Sequence, residues 1–226
     1  MLSGSLASTT AMWDPQIAAL GDFEVVRVEH PGHGDAPMIE LQDVADLARH
    51  VLARVKAERF SFVGLSLGGA VGMQIALDAP ERIERLVLAC TAARFATSES
   101  WEARIALVRS GGMAAVADEV LPRWFTPRFA DVERFREMFL SLSPETYVRY
   151  CELLRDLDLQ GALGAIEAPT LAIAGAEDPT TPPRELESLA AELPYSNVVV
   201  LDNAAHLANV ERPDEFNAAL LRHLAA

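Results

Sequence analysis

The sequence predicts an α/β fold, a mostly parallel sheet with helices packed on both of its faces. Two observations carry this reading. Strand-like and helix-like segments alternate along most of the chain, the pattern in which parallel strands are joined by crossover helices. In addition, Gly64-Leu65-Ser66-Leu67-Gly68 stands at one of the strand-to-helix junctions. A third observation adds a feature: residues 98–163 break the alternation and read as a helical insertion.

The elements follow in order. Glu24-Val25-Val26-Arg27-Val28 marks a strand near 23–29, and His30-Pro31-Gly32-His33-Gly34 after it marks a turn. A helix is expected near 41–57, a strand near 60–65 built on Phe60, Phe62 and Val63, a helix near 67–79 and a strand near 84–90. Past the insertion, Pro169-Thr170-Leu171-Ala172-Ile173-Ala174-Gly175 reads as a buried strand, and a helix is expected at 183–192. The β-branched run Val198-Val199-Val200-Leu201 gives a strand near 197–202. Phe216, Leu220, Leu221 and Leu224 give a closing helix near 212–224.

The expected organisation is a core domain in two parts, 1–97 and 164–226, with a helical cap at 98–163. The cap holds Trp101, Trp124, Phe125, Phe129, Phe139, Tyr147 and Tyr150. Most of these are expected in ordinary helix packing, and as a lid the segment would wall a pocket.

Bulk properties narrow the functional class. With 226 residues, half of them apolar, the chain is long enough for one well-filled core. A net charge of −14 makes nucleic acid and anionic membrane surfaces poor partners. No leader or membrane-spanning run is visible, so a cytoplasmic protein is expected. Cys90 and Cys151 lie in apolar surroundings without metal-ligand spacing and read as buried free thiols. The histidines of the 30–34 turn lack a carboxylate or cysteine spaced to complete a metal site. No metal and no cofactor are expected.

The G-x-S-x-G sequence has the context of a nucleophile elbow: a strand that stops abruptly, a serine on a strained turn, then a helix. Gly64 and Gly68 would stand where the chain folds back too tightly for a Cβ. Ser66 needs a base and the base an orienting acid, in the chain order serine, acid, histidine. Of the histidines only His206 and His223 follow Ser66. His223 sits in the closing helical pattern and reads as a surface residue, whereas His206 leaves a strand and reads as the base. Asp178 follows the buried 169–175 run and is the expected acid, ahead of its neighbour Glu177 and of Asp202. Oxyanion donors are expected from the Leu67 amide and from the Ser3-Gly4-Ser5-Leu6 turn, with Ser5 preferred and Leu6 the alternative.

Together these residues resemble the α/β-hydrolase superfamily, and more narrowly the 3-oxoadipate enol-lactonases. The likeness covers nearly the whole chain. Beyond the elbow it rests on Met12-Trp13-Asp14-Pro15-Gln16, the 30–34 turn, Ala89-Cys90-Thr91-Ala92-Ala93-Arg94, Trp124-Phe125-Thr126-Pro127, Asp178-Pro179-Thr180-Thr181-Pro182-Pro183 and Ala204-Ala205-His206-Leu207. It implies an α/β-hydrolase fold, a triad at Ser66, Asp178 and His206, and hydrolysis of 3-oxoadipate enol-lactone. A general carboxylesterase, a C–C bond hydrolase and a silent ligand-binding homologue are the alternatives. The implied substrate carries a carboxylate, for which Arg94 and Arg123 are candidates, with Trp124 as a pocket wall. The chain departs from the family in three places. The resemblance leads one to expect strands before the position of Leu2 that this sequence does not include, whether through true absence, truncation or a misassigned start. The loop after Gly34 is short, and Ala7 stands where glycine is common.

Overall fold

The computed structural model describes all residues from Met1 to Ala226. Six strands form one sheet in the order β2-β1-β3-β4-β5-β6. They are β1 (Leu2–Ser3), β2 (Arg27–Val28), β3 (Phe60–Leu65), β4 (Ile83–Ala89), β5 (Thr170–Gly175) and β6 (Ser196–Leu201). Every ladder between neighbours is parallel. The central strands are apolar because both of their faces are covered: Phe62, Leu65, Leu86, Val87, Ala172 and Ile173 are all buried.

The expected strand near 23–29 shrinks to Arg27–Val28. It lies at the sheet edge, and its partner β1 supplies just two paired positions, Leu2 and Ser3. Phe23 lies exposed. β-Propensity alone does not make a strand without a backbone partner.

Helices flank the sheet. A short 3₁₀ turn, Thr10–Trp13, leads into α1 (Asp14–Ile17), and α2 (Val44–Leu52) follows β2. The Asp43 carboxylate accepts from the Asp46 amide at 2.8 Å and caps α2. α3 (Leu67–Asp78) is apolar on all sides because it packs against both α2 and the central strands.

Three helices fill the interval between β4 and β5: α4 (Ser98–Trp124), α5 (Val132–Leu140) and α6 (Pro144–Asp156). α4 is broken at Gly112, whose φ of 68° no helix tolerates. Then come α7 (Pro183–Glu192), α8 (Ala208–Glu211) and α9 (Pro213–Ala225). None of these helices is long and apolar enough to cross a membrane. One cluster of 68 buried hydrophobic residues runs through the sheet and the α4–α6 segment, so that segment shares the core. His223 on α9, expected at the surface, is half-buried, with its Nε2 enclosed and unpaired.

The sheet should be energetically uneven. Leu86→Ala, at a position with 0% exposure, should lower the unfolding free energy by about 2–5 kcal/mol. Val200→Ala, at a position 40% exposed on the outer strand, should stay within about 0.5 kcal/mol. Urea midpoints of the two variants check this; equal shifts would contradict the core assignment.

Candidate active site

The serine between β3 and α3 sits on a strained turn. Ser66 has φ 57° and ψ −115°, a conformation that costs an L-residue of order 1–3 kcal/mol. Close backbone packing holds it there. A Cβ on Gly64 would lie 2.2 Å from the Gly68 carbonyl oxygen, and one on Gly68 would lie 2.1 Å from that of Ser3. Ser66 N–H donates to Ala89 O at 2.9 Å, and the Thr91 hydroxyl donates to Ser66 O at 2.7 Å. Leu67 is the first residue of α3, so its amide is among those that an α-helix leaves without an intrahelical acceptor.

A histidine and a carboxylate converge from the ends of two other strands. Asp178 follows β5 and His206 follows β6, and their side chains meet at 2.8 Å between Nδ1 and Oδ2. Both are buried. Asp178 Oδ2 also accepts from the Thr181 hydroxyl at 2.7 Å, while Oδ1 accepts from the amides of Thr180 (2.8 Å) and Thr181 (3.2 Å). Burial pushes the Asp178 carboxyl up, but the His206 charge and these hydrogen bonds outweigh it, and the group titrates below its ordinary value. Asp178 therefore stays ionised and accepts a hydrogen bond from Nδ1–H of His206, which leaves Nε2 as the acceptor. Glu177 points elsewhere, pairing with Arg128 on the surface, and Asp202 is exposed. Asp178 does not cap α7, whose first turn has no side-chain cap.

The Ser3–Ala7 segment passes beside Ser66 and is braced by the 30–34 turn. Ala7 N–H donates to His33 Nε2 at 3.1 Å, and His30 Nε2 lies 3.2 Å from Gly4 O and 3.3 Å from Ser3 Oγ. Ala7 adopts φ 61°, which accounts for the glycine common at this place in chains of the resembled family. Ser5 N–H faces Met12 Sδ at 3.4 Å, a weak acceptor. In the sequence these histidines belong to a turn shared with the resembled family; their burial is what reveals the brace.

Ser66, His206, Ser5 and Leu6 all open into one cavity of about 230 Å³. The α4–α6 segment walls it with Trp101, Trp124, Phe139 and Tyr147, and brings in Arg104 and Arg123. Arg104 stacks over the Trp101 ring at 5.1 Å. Both arginines share this lining with Tyr147, whose hydroxyl is pushed up by burial, against the charges of Arg104 and Arg123. Neither has a carboxylate within 4.0 Å, unlike most arginines of this acidic chain. Arg94 is not part of the cavity. It is half exposed and lies 3.7 Å from Asp158, where the helical segment leaves and rejoins the sheet. Arg104 escaped the sequence reading because an arginine on a helix gives no local sign of which way it faces. Cys90 and Cys151 are buried free thiols. No group of three or more His, Cys, Asp or Glu side chains is placed to hold a metal ion.

Comparison with known proteins agrees with this geometry. The chain belongs to the alpha/beta hydrolase family, which matches residues 2–219. A 3-oxoadipate enol-lactonase of Acinetobacter baylyi is 34% identical, over 97% of this chain and 86% of its own length. A protein of Agrobacterium fabrum that bears the name carbamate hydrolase is 32% identical, over 99% of this chain and 92% of its own. The crystal structure of the enol-lactonase from Burkholderia xenovorans superposes with a TM-score of 0.95 at 35% identity, covering 100% of this chain and 90% of that one. These relatives support a carboxylic ester hydrolase.

The histidine brace should make the fold acid-sensitive. Burial lowers His30 to about 4 and His33 to about 3, the latter helped by the neighbouring His30. In the unfolded chain both take up protons near 6.5. Acid therefore favours unfolding across the window from 6.5 down to about 3–4, and above it these groups contribute no pH dependence. Each histidine should add a slope of up to about 1.4 kcal/mol per pH unit. Urea unfolding between pH 7 and 4 checks this, and His33→Gln should make the slope shallower.

Proposed function

We propose that this chain is a serine hydrolase that opens a small lactone, with 3-oxoadipate enol-lactone as substrate and 3-oxoadipate as product. The supporting observation is the convergence of a strained serine with a carboxylate-held histidine on one cavity. The enol-lactonase relatives supply the substrate.

In this reading Ser66 Oγ attacks the lactone carbonyl carbon while its proton passes to His206 Nε2. The carbonyl electron pair moves to oxygen, held by the amide of Leu67 and that of Ser5 or Leu6. Collapse breaks the ring C–O bond, and His206 returns the proton to the departing enol oxygen. The enol, a better leaving group than an ordinary alkoxide, then tautomerises to the ketone. Water attacks the acyl-enzyme with His206 as base, and the acid is released as Ser66 regains its proton. Ser66 and His206 make no direct hydrogen bond here; such pairs often tighten only around substrate.

Arg104 and Arg123 fit the charge of this substrate. Two unpaired guanidinium groups on a cavity wall, in a chain of net charge −14, supply the local cation that a carboxylate needs. The cavity also suits a small ligand, since drug-sized sites run to roughly 300–1,000 Å³. The carbamate hydrolase name of the Agrobacterium relative favours a second reading, in which the same serine chemistry cleaves a carbamate.

Steady-state kcat/KM for 3-oxoadipate enol-lactone, a neutral phenyl ester and a small carbamate separates the readings. Ser66→Ala should abolish turnover of whichever is used. Arg104→Gln and Arg123→Gln should each raise KM for the anionic lactone by about 10–100-fold, the worth of a charge-assisted hydrogen bond. Both should leave the neutral ester within about twofold. Equal losses on both substrates would remove the arginines from carboxylate recognition, and preference for the carbamate would replace the lactone.

A further inference from the structure

Glu211 lies outside the cavity, yet its carboxylate joins the two parts of the chain that form it. Oε2 accepts the Ala205 amide at 2.7 Å, the residue directly before His206. Oε1 accepts both the amide and the hydroxyl of Thr126, at 2.9 and 2.8 Å. Thr126 follows the end of α4, two residues beyond the cavity wall Trp124. A backbone bond completes the clasp, with Leu207 N–H donating to Trp124 O at 2.9 Å. The residues on both sides of His206 are thus tied to the last turn of α4 and its exit. The base of the clasp is itself anchored: Asn209 on α8 donates to Met12 O (2.8 Å) and Gln16 Oε1 (3.0 Å), and Gln16 Nε2 donates to Asn209 O (2.9 Å).

We propose that Glu211 is a positioning residue that couples the α4 wall of the cavity to His206, so that the imidazole is aligned when Trp124 is seated. The inference rests on the reading of His206 as the base. A carboxylate suits the task because it is acceptor-only and can take three donors at once. An amide in its place keeps one acceptor oxygen and turns a donor toward either Ala205 or Thr126. Misplacing a catalytic group by about 1 Å can lower a rate on the order of 100-fold.

The test uses the full chain with two readouts, neither needing the natural substrate. One is the rate constant for labelling of Ser66 by a fluorophosphonate; the other is the NMR signal of the His206 ring in 15N-histidine protein. Glu211→Gln should slow labelling by about 10–100-fold and shift or broaden the His206 signal. Thr126→Val, which removes a hydroxyl bonded to Glu211 and not to His206, should move the same signal and slow labelling by a smaller factor, and Thr126→Ser should restore both. The double variant Glu211→Gln/Thr126→Val should be no slower than Glu211→Gln alone, because both arms run through one carboxylate.

Thermal unfolding of each variant marks the ordinary structural loss. A Glu211→Gln protein that melts earlier but labels at the parent rate with an unchanged His206 signal overturns the coupling. A parent that does not label at Ser66 overturns the serine-hydrolase reading instead. In that case the His206 signal of the Thr126 and Glu211 variants still decides the coupling.

Discussion

The close approach of three backbone segments at Ser66 is the constraint on which the rest of the structure depends. Gly64, Gly68 and the Ser3 carbonyl are packed so tightly that a single added carbon at either glycine would overlap backbone. This contact fixes the Ser66 backbone in its strained form, aims the start of α3 at the cavity and sets where β1 and the Ser3–Ala7 segment run. The strain of order 1–3 kcal/mol is offset by the surrounding apolar burial. Phe62, Leu65 and Leu67 each show 0% exposure within three or four residues of the serine. Thr91 then ties the turn to the chain leaving β4, so the elbow cannot relax without disturbing the sheet centre.

The central strands and α3 were legible because burial on both faces leaves continuous apolar runs, as in Phe60–Leu65 and Thr170–Gly175. The meeting of Asp178 with His206 was legible because Ser66 and Asp178 follow such runs closely and His206 lies on the loop leaving the outer strand β6. A parallel sheet gathers the residues that follow its strands at one end. What failed to show depends on contacts distant in sequence. The 23–29 segment has strand composition, but its ladder length is set by β1. Arg94 and Arg104 look alike in the sequence; one is turned to Asp158 on the surface and the other to the cavity. The bracing role of the His30–His33 turn and the clasp made by Glu211 have no local signal, because the turn reaches partners 26 residues away and Glu211 reaches Thr126 85 residues away.

Electrostatics divide the molecule in a consistent way. The acidic excess is spread over the surface, where arginines such as Arg27, Arg134 and Arg155 pair with carboxylates in solvent and contribute little to stability. The charges that matter for chemistry lie out of solvent or face the cavity. Asp178 is saturated by four donors, and the two cavity arginines have no acid beside them. A field that repels anions at long range thus surrounds a cavity that presents two arginines without acid partners.

The bond at the neck of the α4–α6 segment bears on how freely its length can vary. Leu159 N–H donates to Ala93 O at 2.9 Å, so the chain closes on itself where it departs from β4 and where it returns toward β5. Those strands are direct neighbours in the sheet, with Leu86 opposite Thr170. Everything between the two ends is a loop whose closure is already made, and doubling such a loop adds only about 0.6 kcal/mol of closure entropy. The length of that loop therefore costs little closure entropy to vary, whereas its helices carry part of the common core. A change above the neck that keeps the sheet intact must also keep an apolar face packed on it.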